Sequence, residues 1–257
     1  MTTETSPLDA GRPHGLLVAL ALLAFAADVL IFYFTIVPLS EWSRARFGAP
    51  GWGILAHYGL RAASAALFAG LMIHWRAVSA PEFGLGAGSF RGDAAWTLRL
   101  AGALAVVSIM LIAVAVAVIR LFDIPLESVI QLETRGRNAP GEWGLYLLCA
   151  VVAAPVVEEF VYRSLLTPAL RAGYGDRGAI VAGAALFYVL HLVYDRPWWM
   201  IHYFVAGAIL TWAFLKRGRL WICILLHAGG NLLIVLDDAV LEFAPNLFKA
   251  ILGRLPG

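Results

Sequence analysis

Long apolar stretches alternate with short polar ones along almost the whole chain. A bilayer core takes about 20 apolar residues of helix. On that measure the sequence divides into seven candidate spans near residues 15–39, 52–77, 94–121, 143–170, 178–194, 197–216 and 219–241. Connectors containing polar residues, Gly and Pro separate them at 40–51, 78–93, 122–142 and 171–177, with two very short turns, Asp195-Arg196 and Arg217-Gly218. Such close spacing after residue 141 predicts antiparallel neighbours in a bundle. The fold class expected is all-α, a polytopic transmembrane helical bundle. The stretch from Leu16 to Val37 exceeds the short apolar core of a cleaved signal and reads as a retained first span. From Phe243 to Leu255 the chain is amphipathic enough to lie on the interface or to fray as a tail.

Composition agrees with the pattern. Of the 257 residues, 61% are hydrophobic and 14% charged, and the mean hydropathy is +0.80, values of a membrane protein rather than a soluble domain. The formal net charge is +2 and no basic tract occurs, so nucleic-acid binding is not expected. Cys149 and Cys223 lie in apolar runs without metal-ligand spacing and read as small helix-packing residues. Arg greatly outnumbers Lys, and Ala and Gly are abundant, a bias that suggests a bacterial origin and hence the cytoplasmic (inner) membrane. No internal repeat and no inverted pair of interrupted helices point to a transporter.

Against this background the costly residues stand out. An ionisable side chain at the centre of a bilayer costs about 2.5–3.5 kcal/mol on insertion scales, and the fourth span carries three within six residues: Glu158, Glu159 and Arg163. Residues four apart share a helix face, so Glu159 pairs with Arg163 while Glu158, about 100° round, points elsewhere. Two adjacent carboxylates in a low dielectric cannot both ionise cheaply, which can give one of them the character of a general base. Pro155 removes an amide donor and disturbs the carbonyl of Val151, opening the helix near this pair. A structural salt bridge would account equally well for Glu159 and Arg163, but not for Glu158.

Two further spacings accompany the glutamates. Phe187 lies four residues before His191, and His227 four before Asn231, putting an imidazole and a carboxamide on one helix face, both able to donate to one oxyanion. Between them, Gly229 and Gly230 allow close approach of a helix or of a substrate backbone. Ser164 and Thr167 lack the context of an activated nucleophile and read as packing hydroxyls. His202 and Asp195 are possible partners of His191, with a structural role weighing more. In the first spans Asp28 could serve the site, with an interhelical hydrogen bond weighing more. His57 and Arg61, four apart, read as groups that snorkel or pair between helices, a catalytic role weighing less.

With Glu158-Glu159 followed by Arg163, Phe187 before His191, and His227 before Asn231, in that order, the chain resembles the type II CAAX prenyl endopeptidase and bacteriocin-processing (Abi) family of glutamic-type intramembrane proteases. The resemblance covers about residues 141–241. It implies a protease core there, behind an N-terminal scaffold of about three spans (1–140) and before a tail (242–257). By position it implies that Glu158 with His191 activates a water, that His227 with Asn231 holds the oxyanion, and that Glu159 and Arg163 fix the geometry. No cofactor is implied, and the partners are a membrane-protein or peptide substrate and the bilayer. Two alternatives stay open: a zinc protease using His191, His227 and Glu158, against which no H-E-x-x-H helix is present, and a non-enzymatic membrane scaffold.

Overall fold

The computed structural model describes residues 14–48, 50–75, 77–86, 90–122, 143–193 and 201–243. Among them every regular element is helical. Helix α1 spans His14–Phe47 and α2 spans Gly51–His74. A 3-10 turn, Ala80–Phe83, leads to α3, Phe90–Leu121. A long rod then runs from Trp143 to Val193, and the last two described helices are α6, His202–Arg217, and α7, Leu220–Phe243.

The rod is two helices. Gly175 breaks it with φ 68° and ψ −178°, backbone torsions that in practice only glycine adopts. The limbs on either side, α4 (143–174) and α5 (176–193), fold back antiparallel. The Tyr162 and Phe187 rings meet at 5.2 Å, and the Gly183 backbone lies beside the Leu170 side chain. The polar connector expected at 171–177 is thus a helical hairpin corner with exposed residues. The turn at 195–196 and the terminal tail lie outside the described residues.

The other departure is at the first connector, where a loop is expected from residue 40. Instead α1 continues through Pro38 to Phe47, 34 residues in all, with Arg44 and Arg46 in the last turn, where cations suit the helix dipole. The link to α2 is only a few residues long. At that corner the helices touch backbone to backbone: a Cβ on Gly53 would fall 2.0 Å from the Leu39 carbonyl oxygen.

By length and apolarity, three described segments can cross a membrane: Gly15–Phe47, Gly51–His74 and the folded rod Trp143–Leu192, while Leu220–Leu236 is apolar but shorter. The burial pattern is that of a bundle in lipid. Large apolar side chains such as Leu23, Phe34, Leu67, Met110 and Leu233 face outward, while Asp28, Arg61, Glu158, Glu159 and Arg163 are buried. One apolar core joins both halves of the chain, from Leu17, Ala24, Ala65 and Met72 to Tyr162, Leu165 and Leu190. Small residues recur at the α1–α2 contact, where they let the backbones approach.

Candidate active site

The site begins with a defect in α4. Pro155 has no N–H and its ring would strike the carbonyl one turn back, and the helix responds by widening into π turns over Leu148–Ala153. The Ala154 N–H therefore reaches Cys149 O rather than Ala150 O. The Ala150 carbonyl consequently lacks its α-helical donor, and its π-helical donor would be Pro155, which has none. Asn231 of α7 supplies one: its Nδ2 donates to Ala150 O at 2.7 Å. A second π segment, Phe160–Leu166, follows, with Thr167 Oγ1 donating to Tyr162 O at 2.8 Å. Such widened turns occur often at functional sites. Between the two lies the short α-helical piece that carries both glutamates, Ala154–Glu159.

Glu159 points into the bundle with no exposed surface. Its Oε2 meets Arg163 Nε at 2.8 Å, and its Oε1 accepts from His227 Nδ1 at 2.8 Å. A carboxylate in an ion pair only accepts, so Nδ1 carries the proton and the opposite nitrogen, Nε2, faces away from Glu159. It faces Glu158, whose Oε2 is 4.0 Å distant. The other oxygen of Glu158 accepts from Arg61 Nη1 at 3.4 Å. Arg61 in turn grips Asp28 with Nε at 2.7 Å and Nη2 at 2.8 Å. The two adjacent glutamates thus face different partners, as their helical angle requires.

Phe187 is the apolar hub of this cluster. Its ring lies 4.5 Å from that of His191 and 5.8 Å from that of His227, and the Arg163 guanidinium sits 5.5 Å from its centroid, a favourable cation–π distance. The His191 Nδ1 donates to the Phe187 carbonyl at 2.7 Å, so Nδ1 carries a proton. Its other face stacks on Tyr203 at 4.1 Å. His202 is exposed, and its ring lies 4.3 Å from that of Tyr203. Asp195 lies outside the described residues.

The remaining candidates take structural positions. Ser164 donates to Phe83 O at 2.7 Å, pinning the 3-10 turn against α4. The turn is held a second time by Leu220 N–H on Gly84 O at 3.1 Å. Cys149 and Cys223 are buried and unbridged. The sequence leaves two roles open for Gly229 and Gly230, and helix approach is not the one seen: a Cβ at either would meet nothing within 4 Å among the described residues. An apolar notch of about 130 Å³ lies between α2 and the first π segment, lined by Tyr58, Leu145, Cys149 and Ala150 among others.

What sequence reasoning weighs too low is the link from the first two helices to the glutamates. Asp28 and Arg61 do pair between helices, yet their pairing ends on Glu158. The available signal is charge: both sit mid-helix in spans otherwise almost devoid of ionisable groups, where each demands a partner.

Residues 140–233 match the family model described as type II CAAX prenyl endopeptidase Rce1-like. The match bears out the resemblance carried by the three motifs, and an Rce1-like family match supports a CAAX-type intramembrane protease in general. Comparisons with curated proteins and with solved structures each give no match.

Proposed function

We propose that the Rce1-like domain at residues 140–233 hydrolyses a peptide bond of a membrane-associated protein within the bundle, using water activated at Glu158. The observation that carries this reading is His227 set between the two glutamates, 2.8 Å from Glu159 and 4.0 Å from Glu158. Glu159 is neutralised by Arg163 and orients the imidazole. Glu158 and Nε2 then face each other at a separation across which both can reach one reacting centre at about 3 Å.

In this mechanism Glu158 takes a proton from water as the water oxygen bonds to the substrate carbonyl carbon, with the Nε2 of His191 as a further acceptor. The carbonyl π electrons move onto oxygen. That oxyanion accepts from His227 Nε2–H and from the second N–H of Asn231, whose first is spent on Ala150 and so fixes the carboxamide. The intermediate collapses as the C–N bond breaks, and Glu158 returns the proton to the leaving amine. Charge counting supports the protonated imidazole: Asp28, Glu158 and Glu159 carry three negative charges, Arg61 and Arg163 two positive, and His227 supplies the third. The notch beside Ala150 provides an apolar approach for a substrate side chain.

The test compares membrane-protein termini in cells making the wild type or Glu158→Gln. Loss of a general base lowers turnover by about 10²–10⁴-fold, so termini generated by the wild type should vanish with the variant while the protein accumulates normally. Termini unchanged in the variant would remove Glu158 from the chemistry. Processing abolished by exhaustive chelation and restored by zinc would favour a metalloprotease instead.

A further inference from the structure

We infer that Asp28 and Arg61 form a positioning pair for Glu158, so that the α1–α2 hairpin is part of the catalytic apparatus, an inference that rests on the reading of Glu158 as the base. Asp28 lies near the middle of α1 and Arg61 near the middle of α2, and both side chains are buried, at 2% and 0% exposure. The guanidinium holds Asp28 with two hydrogen bonds, at 2.7 and 2.8 Å. The planar fork leaves Nη1 directed at Glu158 Oε1, 3.4 Å away.

A purely structural ion pair would be complete with Asp28 alone. Bringing a second carboxylate against the same guanidinium adds a buried negative charge that Arg61, already paired with Asp28, does not compensate, which is costly unless it serves something. The distances assign what it serves. Glu159 has Arg163 to itself at 2.8 Å. Glu158 shares Arg61 with Asp28 and meets it at 3.4 Å, so it is held in place yet only partly neutralised. Such a carboxylate can still accept a proton, whereas one closed into its own 2.8 Å pair cannot do so cheaply. Arg61 thus restrains Glu158 from the α2 side while His227 faces it from α7, and Asp28 weakens the arginine's hold. The Phe32 and Tyr58 rings, each 5.4 Å from the Arg61 guanidinium carbon, flank the guanidinium and restrict its movement.

The double variant Asp28→Leu with Arg61→Met separates positioning from glue, since replacing a buried ion pair by apolar residues of similar volume is often neutral or stabilising. Labelling with dicyclohexylcarbodiimide, which modifies protonated carboxyl groups in apolar surroundings, reads the state of Glu158 without needing a substrate, and peptide masses distinguish it from Glu159. The expected result is a folded protein whose Glu158 labels roughly five-fold faster or more, with Glu159 unchanged, because the carboxyl loses the guanidinium that holds and shields it. Alongside it, pulse-chase of the terminus that depends on Glu158 in cells should slow at least about tenfold. Glu158 labelling within about two-fold of wild type, or processing at the wild-type rate, overturns the inference. Should the double variant not fold, Arg61→Lys decides. A single ammonium cannot grip Asp28 with two parallel bonds and also reach Glu158, so faster labelling and slower processing are expected, and wild-type values in either overturn it. Glu158→Gln run in parallel keeps the two ideas apart. If that variant still processes, the base assignment fails; if only the Asp28/Arg61 variants process normally, the positioning pair fails alone.

Discussion

The side chains Glu158 and Glu159 are chemically identical and adjacent, and their surroundings divide their work. Glu159 belongs to a closed buried set with Arg163 and His227. Removing one partner of such a set leaves the other charge buried and alone, at a cost of about 3–5 kcal/mol. Glu159→Gln should therefore lose thermal stability in detergent and misorient His227, so that both the melting midpoint and processing fall. Glu158→Gln should cost processing alone. Asn231 offers a second contrast, because one N–H of its carboxamide has a structural use. Asn231→Ala orphans the Ala150 carbonyl, worth about 1–3 kcal/mol, and removes a proposed oxyanion donor. Asn231→Asp cannot donate and should lose both functions as well. Serine in its place should recover neither fully, since its hydroxyl is shorter and has one hydrogen. Melting midpoints and processing rates of the alanine variant measure the two losses separately.

At the scale of elements, one proline sets the local architecture of α4. The widened turn before Pro155 and the donor from α7 that satisfies it tie α4 to α7 at the level of the glutamates. Gly175 does the comparable work for α4 and α5. Its torsions, φ 68° and ψ −178°, are open to glycine and cost other residues about 1–3 kcal/mol. An added Cβ there meets no neighbour within 4 Å among the described residues, so the penalty of Gly175→Ala is conformational rather than steric. That variant should melt earlier by an amount of this order. Because the corner aligns Phe187 and His191 with Tyr162 and Arg163, processing should fall with it.

At the scale of the whole molecule, the division into a scaffold of residues 1–140 and a core of 141–241 describes where the family motifs lie rather than how the protein is held together. Leu17, Ala21 and Ala24 of α1 share one buried cluster with Tyr162, Leu165 and Leu190, and the Phe25 and Tyr162 rings meet at 5.8 Å. Residues 141–257 expressed alone should therefore fail to accumulate in the membrane. Co-expression with residues 1–140 should restore both accumulation and processing, as immunoblots of the tagged halves and the Glu158-dependent terminus will report.

The sequence by itself determined the helical class, the run of apolar segments and the pairing of Glu159 with Arg163. Each depends on local spacing: about 20 residues for a bilayer and four for a shared helix face. It also marked Phe187, His191, His227 and Asn231 as polar or aromatic positions at helical intervals. Only the tertiary structure decided that His227 bridges the two glutamates, that Asn231 caps the Ala150 carbonyl, and that Arg61 reaches Glu158 at a sequence separation of 97. Nothing in local periodicity fixes which face of one helix meets which face of another, because that follows from the packing of all of them at once. So the stretch Glu158–Arg163 announces a site, while the partners that make its two glutamates different come from α1, α2 and α7.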